Sequence, residues 1–91
     1  MTVFNNPQHT WNQRFATDEY VFGQAPNAYL RSQAAHLHAG SALAVADGEG
    51  RNGVWLAEQG LDVDAFDFSE NAIQKAQLLA KQRSQLVNWH C

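Results

Sequence analysis

The stretch ADGEGRNG, Ala46 to Gly53, stands between a short apolar run and a run with helical spacing. Its glycines at Gly48, Gly50 and Gly53 match the pattern G-x-G-x-x-G. Three glycines near a turn are a weak signal alone, so the flanks decide what they mean. Upstream, SALAVA (Ser41 to Ala46) is short and apolar, as expected of a strand covered on both faces in a parallel sheet. Downstream, Val54, Trp55, Leu56 and Ala57 continue a helical run that stops at Gly60, a left-handed cap. The order is strand, glycine loop, helix.

Working outward, LDVDAFDF from Leu61 to Phe68 predicts a second strand. Ser69 is a natural N-cap for a helix whose Ala72, Ile73, Ala76, Leu79 and Ala80 share one face, and Glu70 in the first turn suits the helix dipole. After Lys81-Gln82-Arg83, the segment LVNWHC predicts a third strand. On the other side of the loop, Leu30, Ala34 and Leu37 recur at helical spacing from Asn27 to about His38, after a start signal at Pro26 and before Ala39-Gly40. Residues 1 to about 25 carry Trp11, Phe15, Tyr20 and Phe22 without a sustained period, a short amphipathic piece and then a loop. The chain divides into a helical leader, 1–26, and a βαβαβ unit, 27–91. The fold class is α/β: a three-layer, Rossmann-like parallel sheet, in which ligands bind beyond the carboxyl ends of the strands. The glycine loop lies at that edge.

Bulk properties narrow the partners. Six Lys and Arg against nine Asp and Glu give a formal charge of −3, which offers no general attraction to nucleic acid or an anionic membrane. At 91 residues the chain makes one small domain and buries a smaller fraction of its surface than a domain of roughly 150 residues. Its one cysteine, Cys91, makes no internal disulfide, and MTVFNNPQHTW lacks the regions of a signal peptide, which points to the cytoplasm. No apolar run approaches the roughly 20 residues that cross a bilayer.

The residues inside the loop select the ligand. Asp47 and Glu49 surround Gly48, and no Lys lies there to offset them. A dinucleotide pyrophosphate on the helix N-terminus would meet those carboxylates at short range. S-adenosylmethionine carries an ammonium and a sulfonium and no phosphate, so an acidic loop suits it. Asp67 ends the second strand about 17 residues after Gly50, near where an acid binding ribose hydroxyls is expected. Phe68 is placed to cover an adenine face, or alternatively packs under the loop.

The runs ALAVADGEGRNGVWLAEQG and VDAFDFSENAIQKAQLLA resemble the first half of class I S-adenosylmethionine-dependent methyltransferases, and more narrowly the tellurite-resistance type. WNQRFATDEYVFGQAPNAYL, Trp11 to Leu30, is similar to the leader that precedes the first strand in that group. The resemblance implies S-adenosyl-L-methionine as cofactor, with Ala46, Asp47, Gly48, Glu49 and Gly50 around its methionine part, Asp67 on the ribose and Phe68 on the adenine. It also implies that Tyr20 and Phe22 close over the bound cofactor. Ala44 stands where the family often has an acid, and Ala46 where it often has the first glycine. Family members continue with further strands, so the resemblance implies the N-terminal part of such a domain, cut within the third strand. The far edge of the first strand would then be unpaired and open to self-association.

Methyl transfer is an in-line displacement at the sulfonium methyl, so positioning supplies much of the catalysis. No catalytic residue is assigned. Tyr20 is the local candidate, against a plainer role anchoring the leader. Asn52, ahead of Arg51, suits contact with the cofactor carboxylate, because an amide both donates and accepts. His9, His36, His38 and His90 show no ligand spacing, so no metal site is expected. Trp11, Trp55 and Trp89 read as core or interface residues, and Ser69 as a cap. Three readings stay open: a methyltransferase cofactor domain acting on a small-molecule acceptor, the NAD(P)-binding half of an oxidoreductase, and a non-catalytic remnant that binds a nucleoside or a partner.

Overall fold

Val63 and Ala65 are fully buried while Asp62 and Phe66 of the same run are exposed, the period of two that a strand imposes. In the computed structural model, which describes residues 7–37 and 40–91, this run is β2 (Asp62–Phe66). It lies between β1 (Ser41–Val45) and β3 (Asn88–His90) in a three-stranded sheet of order β1-β2-β3. Both pairings are parallel, with Ser41 opposite Asp62 and Asp64 opposite Asn88.

The connections are helical, as the apolar spacing predicts. α3 (Arg51–Glu58) follows the glycine loop, and α4 (Glu70–Gln82) follows Ser69, whose hydroxyl accepts a hydrogen bond from the Ala72 amide. Ala72, Ile73, Ala76, Leu79 and Ala80 are the buried face of α4. Trp55, Leu56 and Ala57 of α3 pack on Val63 and Ala65, while Val54 meets Leu79 and Ala80, and Trp89 touches both clusters. Trp55 and Trp89 are therefore core residues. The chain reverses after α3 at Gly60, with φ of +91°.

Three expectations are corrected. The helix foreseen from Asn27 to about His38 is shorter: Asn27 caps α2 (Ala28–Ser32) through hydrogen bonds from the amides of Tyr29 and Leu30. It gives way at Gln33 to a 3₁₀ turn, Ala34–His36. The Ser32 hydroxyl donates back to the Tyr29 carbonyl at 2.5 Å, a local bond that competes with continuation of the helix. His38 and Ala39 lie outside the described residues. Second, the strands are shorter than the apolar runs, and β1 stops at Val45 because Ala46 turns into the left-handed region at φ +54°. Third, β1 is not covered on both faces. Its residues alternate between exposed and half-buried, and Leu43 and Val45 are 63% and 70% exposed. The fold class itself stands: three parallel strands in an open sheet, joined by helices, make an α/β, Rossmann-like architecture. β1 and β3 form the edges of the sheet.

The leader contributes α1 (Pro7–Arg14), with Pro7 at the first helical position, where its missing N–H is not needed. Asn12 fastens it to the start of α4. Its Oδ1 accepts from the Ser69 hydroxyl and the Asn71 amide, both at 2.9 Å, and its carbonyl accepts from Asn71 Nδ2 at 2.7 Å. Among the described residues, no helix is long and apolar enough to cross a membrane.

Candidate functional site

Two adjoining hollows, of about 320 and 340 Å³, open at the carboxyl ends of β1 and β2. Ala46, Asp67 and Phe68 line both. The first continues over Asp47, Gly48, Arg51 and Asn52 and is walled by Trp11, Phe15 and Phe22 of the leader. The second runs over Val45, Phe66, His90 and Cys91.

Asp67 sits where β2 ends and stitches the two loops together. Its Oδ2 accepts from the Gly48 amide and its Oδ1 from the Ser69 amide, both at 2.9 Å. A carboxylate offers about four lone-pair sites, so each oxygen retains capacity for a further donor. Phe68, beside it, is 44% exposed. Ala46 reaches the rim in a left-handed backbone that costs a residue with a Cβ about 1–2 kcal/mol, so this turn holds some strain.

Asp47 and Glu49 are buried, at 8% and 3% exposure. Asp47 turns beneath α3, and its Oδ1 accepts from the Gly53 amide at 3.0 Å. The N-cap residue of α3, Gly50, has no side chain to do this, so Asp47 substitutes for it from three residues upstream. Among the described residues Asp47 Oδ2 is buried with no hydrogen-bond partner, and a Cβ at Gly53 would lie 2.5 Å from it. Gly53 thus makes room for the carboxylate. Burial is the main cause that lifts Asp47 from 3.8 to about 6, opposed by the Gly53 amide, reinforced by Asp67 and reduced again by Arg51.

A carboxyl with a raised pKa favours folding most when it is protonated. Its contribution is fully present below about 3.8 and is lost as pH rises through about 6. The gap corresponds to at most about 3 kcal/mol. Asp47→Asn is therefore expected to gain stability relative to the parent as pH rises from 4 to 7. Urea unfolding of both proteins across that range measures the difference, which cancels the other carboxylates. A constant difference would show that Asp47 does not titrate in this window.

Glu49 is not brought to the cleft, contrary to expectation. Its Oε2 pairs with Lys75 Nζ of α4 at 2.6 Å, because a buried carboxylate requires a partner and the loop offers none. Gly50 also faces away from the hollows, against Ala76 and Trp89. Tyr20 is likewise directed to α4. Its hydroxyl donates to the Lys75 carbonyl at 2.7 Å, and its ring packs beside Val54, Leu79 and Ala80. Burial, then the Glu49 carboxylate, raise the Tyr20 phenol above its ordinary value. Asn52 lines the cleft while its Oδ1 accepts from the Asn27 amide at 2.7 Å, and the Arg51 guanidinium lies 5.9 Å from the Phe22 ring centroid.

The aromatic wall was partly legible. Phe22 is expected at the cleft, whereas the sequence points to Trp11 as a core or interface residue and to Phe15 as a leader aromatic, although spacing of four on a helix puts the two on one side. Trp11 and Phe15 stack at 5.7 Å, and Phe22 lies 6.4 Å from each. His90 went unassigned. Its Nε2 lies 3.0 Å from Asp64 Oδ1, and its ring stacks on Phe66 at 4.4 Å.

Comparison with known proteins gives a consistent picture. The sequence pattern of the family described as tellurite resistance protein TehB matches residues 9–90. Among curated proteins none matches the chain. A solved structure from work on the conversion of a disulfide bond into a thioacetal group during echinomycin biosynthesis superimposes with a TM-score of 0.77 at 23% identity. That likeness covers 91% of this chain and 39% of the other, so the chain spans well under half of its neighbour's length.

Proposed function

The chain belongs to the tellurite resistance protein TehB family of S-adenosylmethionine-dependent methyltransferases, and on that premise we propose that its cleft is a cradle for S-adenosyl-L-methionine. In this reading it is the cofactor-binding part of an enzyme that methylates a small-molecule acceptor. The observation that carries it is the placement of Asp67 between the two hollows. The second hollow takes the adenosine, with Phe68 on the base and the spare lone pairs of Asp67 on the ribose hydroxyls. The first takes the amino-acid end, over the backbone of Ala46, Asp47 and Gly48, with Asn52 and Arg51 toward the carboxylate.

The chemistry of the lining suits this ligand. Asp47 and Asp67 line the first hollow and, among the described residues, Arg51 is its one cationic side chain, a balance suited to a ligand bearing an ammonium and a sulfonium. A pyrophosphate would be drawn to Arg51 but repelled by both acids. Glu49, Gly50 and Tyr20 act behind the cleft by fixing the loop and the leader. The cofactor, when bound, supplies an activated methyl group, and the residues here orient it and exclude water.

Isothermal titration with S-adenosylmethionine, S-adenosylhomocysteine and NAD tests the reading. Binding of the first two without NAD is expected. Binding of NAD alone would replace it with the dinucleotide reading, and a folded chain that binds none would leave a non-catalytic remnant. The mass in solution, determined alongside, tests the further proposal that the open edge of β1 leads chains to associate.

A further inference from the structure

We infer that Lys75, which does not line the cleft, is a positioning residue that holds the leader's aromatic wall over the amino-acid end of the cofactor. This rests on the cradle reading. The Lys75 ammonium donates to Glu49 Oε2 at 2.6 Å, to Thr17 Oγ1 at 3.2 Å and to the Glu19 carbonyl. Its three protons meet three acceptors, a set that suits the compact ammonium on its flexible stem. Two of those acceptors belong to the leader, and the third belongs to the glycine loop. Tyr20 closes the ring by donating its hydroxyl to the Lys75 carbonyl, and its face lies 5.6 Å from the ammonium.

The tie continues to the wall itself. Glu49 Oε1 accepts from the Phe22 amide at 3.5 Å, so the carboxylate that Lys75 orients also holds the backbone of a wall residue. The Phe22 ring touches Trp11 and Phe15, which complete the wall opposite Asp47 and Gly48. Lys75 and Glu49 side chains are 12% and 2% exposed, whereas the surface pair of Arg83 and Glu58 is 30% and 31% exposed. The buried tie is little screened by salt. Glu49 thus connects loop shape to leader position, and a ligand that fits the closed wall binds a cleft already formed.

The test is the double variant Glu49→Gln/Lys75→Met of the full chain, which removes both charges together and leaves neither buried alone. Hydrogen exchange and titration with S-adenosylmethionine and adenosine are read side by side. Expected are exchange at least tenfold faster in residues 15–22, unchanged protection of β2 and α3, at least tenfold weaker S-adenosylmethionine binding, and adenosine binding within twofold. Unchanged leader exchange would overturn the tie. A loosened leader with unchanged S-adenosylmethionine affinity would overturn the positioning role. Loss of both ligands with faster exchange in β2 and α3 would make Lys75 a scaffold residue and overturn it too. A parent chain that binds neither ligand would sink the cradle reading and the positioning role with it, while the leader's exchange still reports whether the tie exists.

Discussion

Asp67→Ala is expected to weaken S-adenosylmethionine binding by at least about a hundredfold. Each hydrogen bond to a charged group is worth about 1.5–3 kcal/mol, and two ribose hydroxyls would lose theirs. The same carboxylate holds the Gly48 and Ser69 amides, so part of the loss would come from a loop that no longer keeps its shape. Asp67→Asn separates the two contributions: it keeps one carbonyl oxygen and the side-chain shape but loses the charge, and a loss of about tenfold is expected. Titration of the parent and both variants, with melting followed alongside, measures this. Unchanged affinity in the alanine variant would remove Asp67 from the ribose and with it the observation that carries the functional reading.

The largest effect on stability is expected from Gly50→Ala. Gly50 holds φ of +91°, where a Cβ costs about 1–2 kcal/mol. That Cβ would also lie 2.7 Å from Ala76 Cβ, 3.0 Å from Ala76 Cα and 3.2 Å from the Trp89 ring. Backbone cannot yield as a flexible side chain does, so overpacking adds about 1–3 kcal/mol. A total near 3 kcal/mol is a large share of the 5–15 kcal/mol typical of a domain, and the variant is expected to unfold at a much lower urea concentration than the parent. Gly48→Ala gives the contrast. Its φ is +62°, but its nearest outside contact is Phe15 Cζ at an ordinary 3.6 Å, so only the backbone cost of about 1–2 kcal/mol should appear. Urea unfolding of both variants checks this, and equal midpoints would show that α3 and α4 separate easily.

The elements that define the fold were legible because their signals are local. Ser69 caps within three residues, the buried face of α4 follows the helical period, and the glycine loop announces itself between strand and helix. What escaped depends on partners distant in sequence. Nothing near Glu49 reveals that its carboxylate meets Lys75, 26 positions later, rather than a ligand. Tyr20 takes the anchoring alternative for the same reason, since its hydroxyl partner is 55 positions away. SALAVA suggests a fully covered strand because every residue after Ser41 is apolar, yet composition cannot say whether a helix lies on each face. The placement of Ala46, Asp67 and Phe68 along the hollows follows from loop position, whereas the inward turn of Asp47 depends on the empty space at Gly53.

The contacts of Asn12 with Ser69 and Asn71 bear on how the chain assembles. They join residues 57 and 59 positions apart, whereas Ser41 pairs with Asp62 across a much shorter separation. Contacts of long sequence separation require a larger closure entropy and form late. The leader is synthesised before α4 but does not dock until α4 has formed. The sheet and its two crossover helices therefore arise before the cleft does, and for part of the folding time Trp11, Phe15 and Phe22 stand exposed. The site is finished by a segment made before the elements it docks on, and that interval is when nascent molecules are most prone to stick to one another.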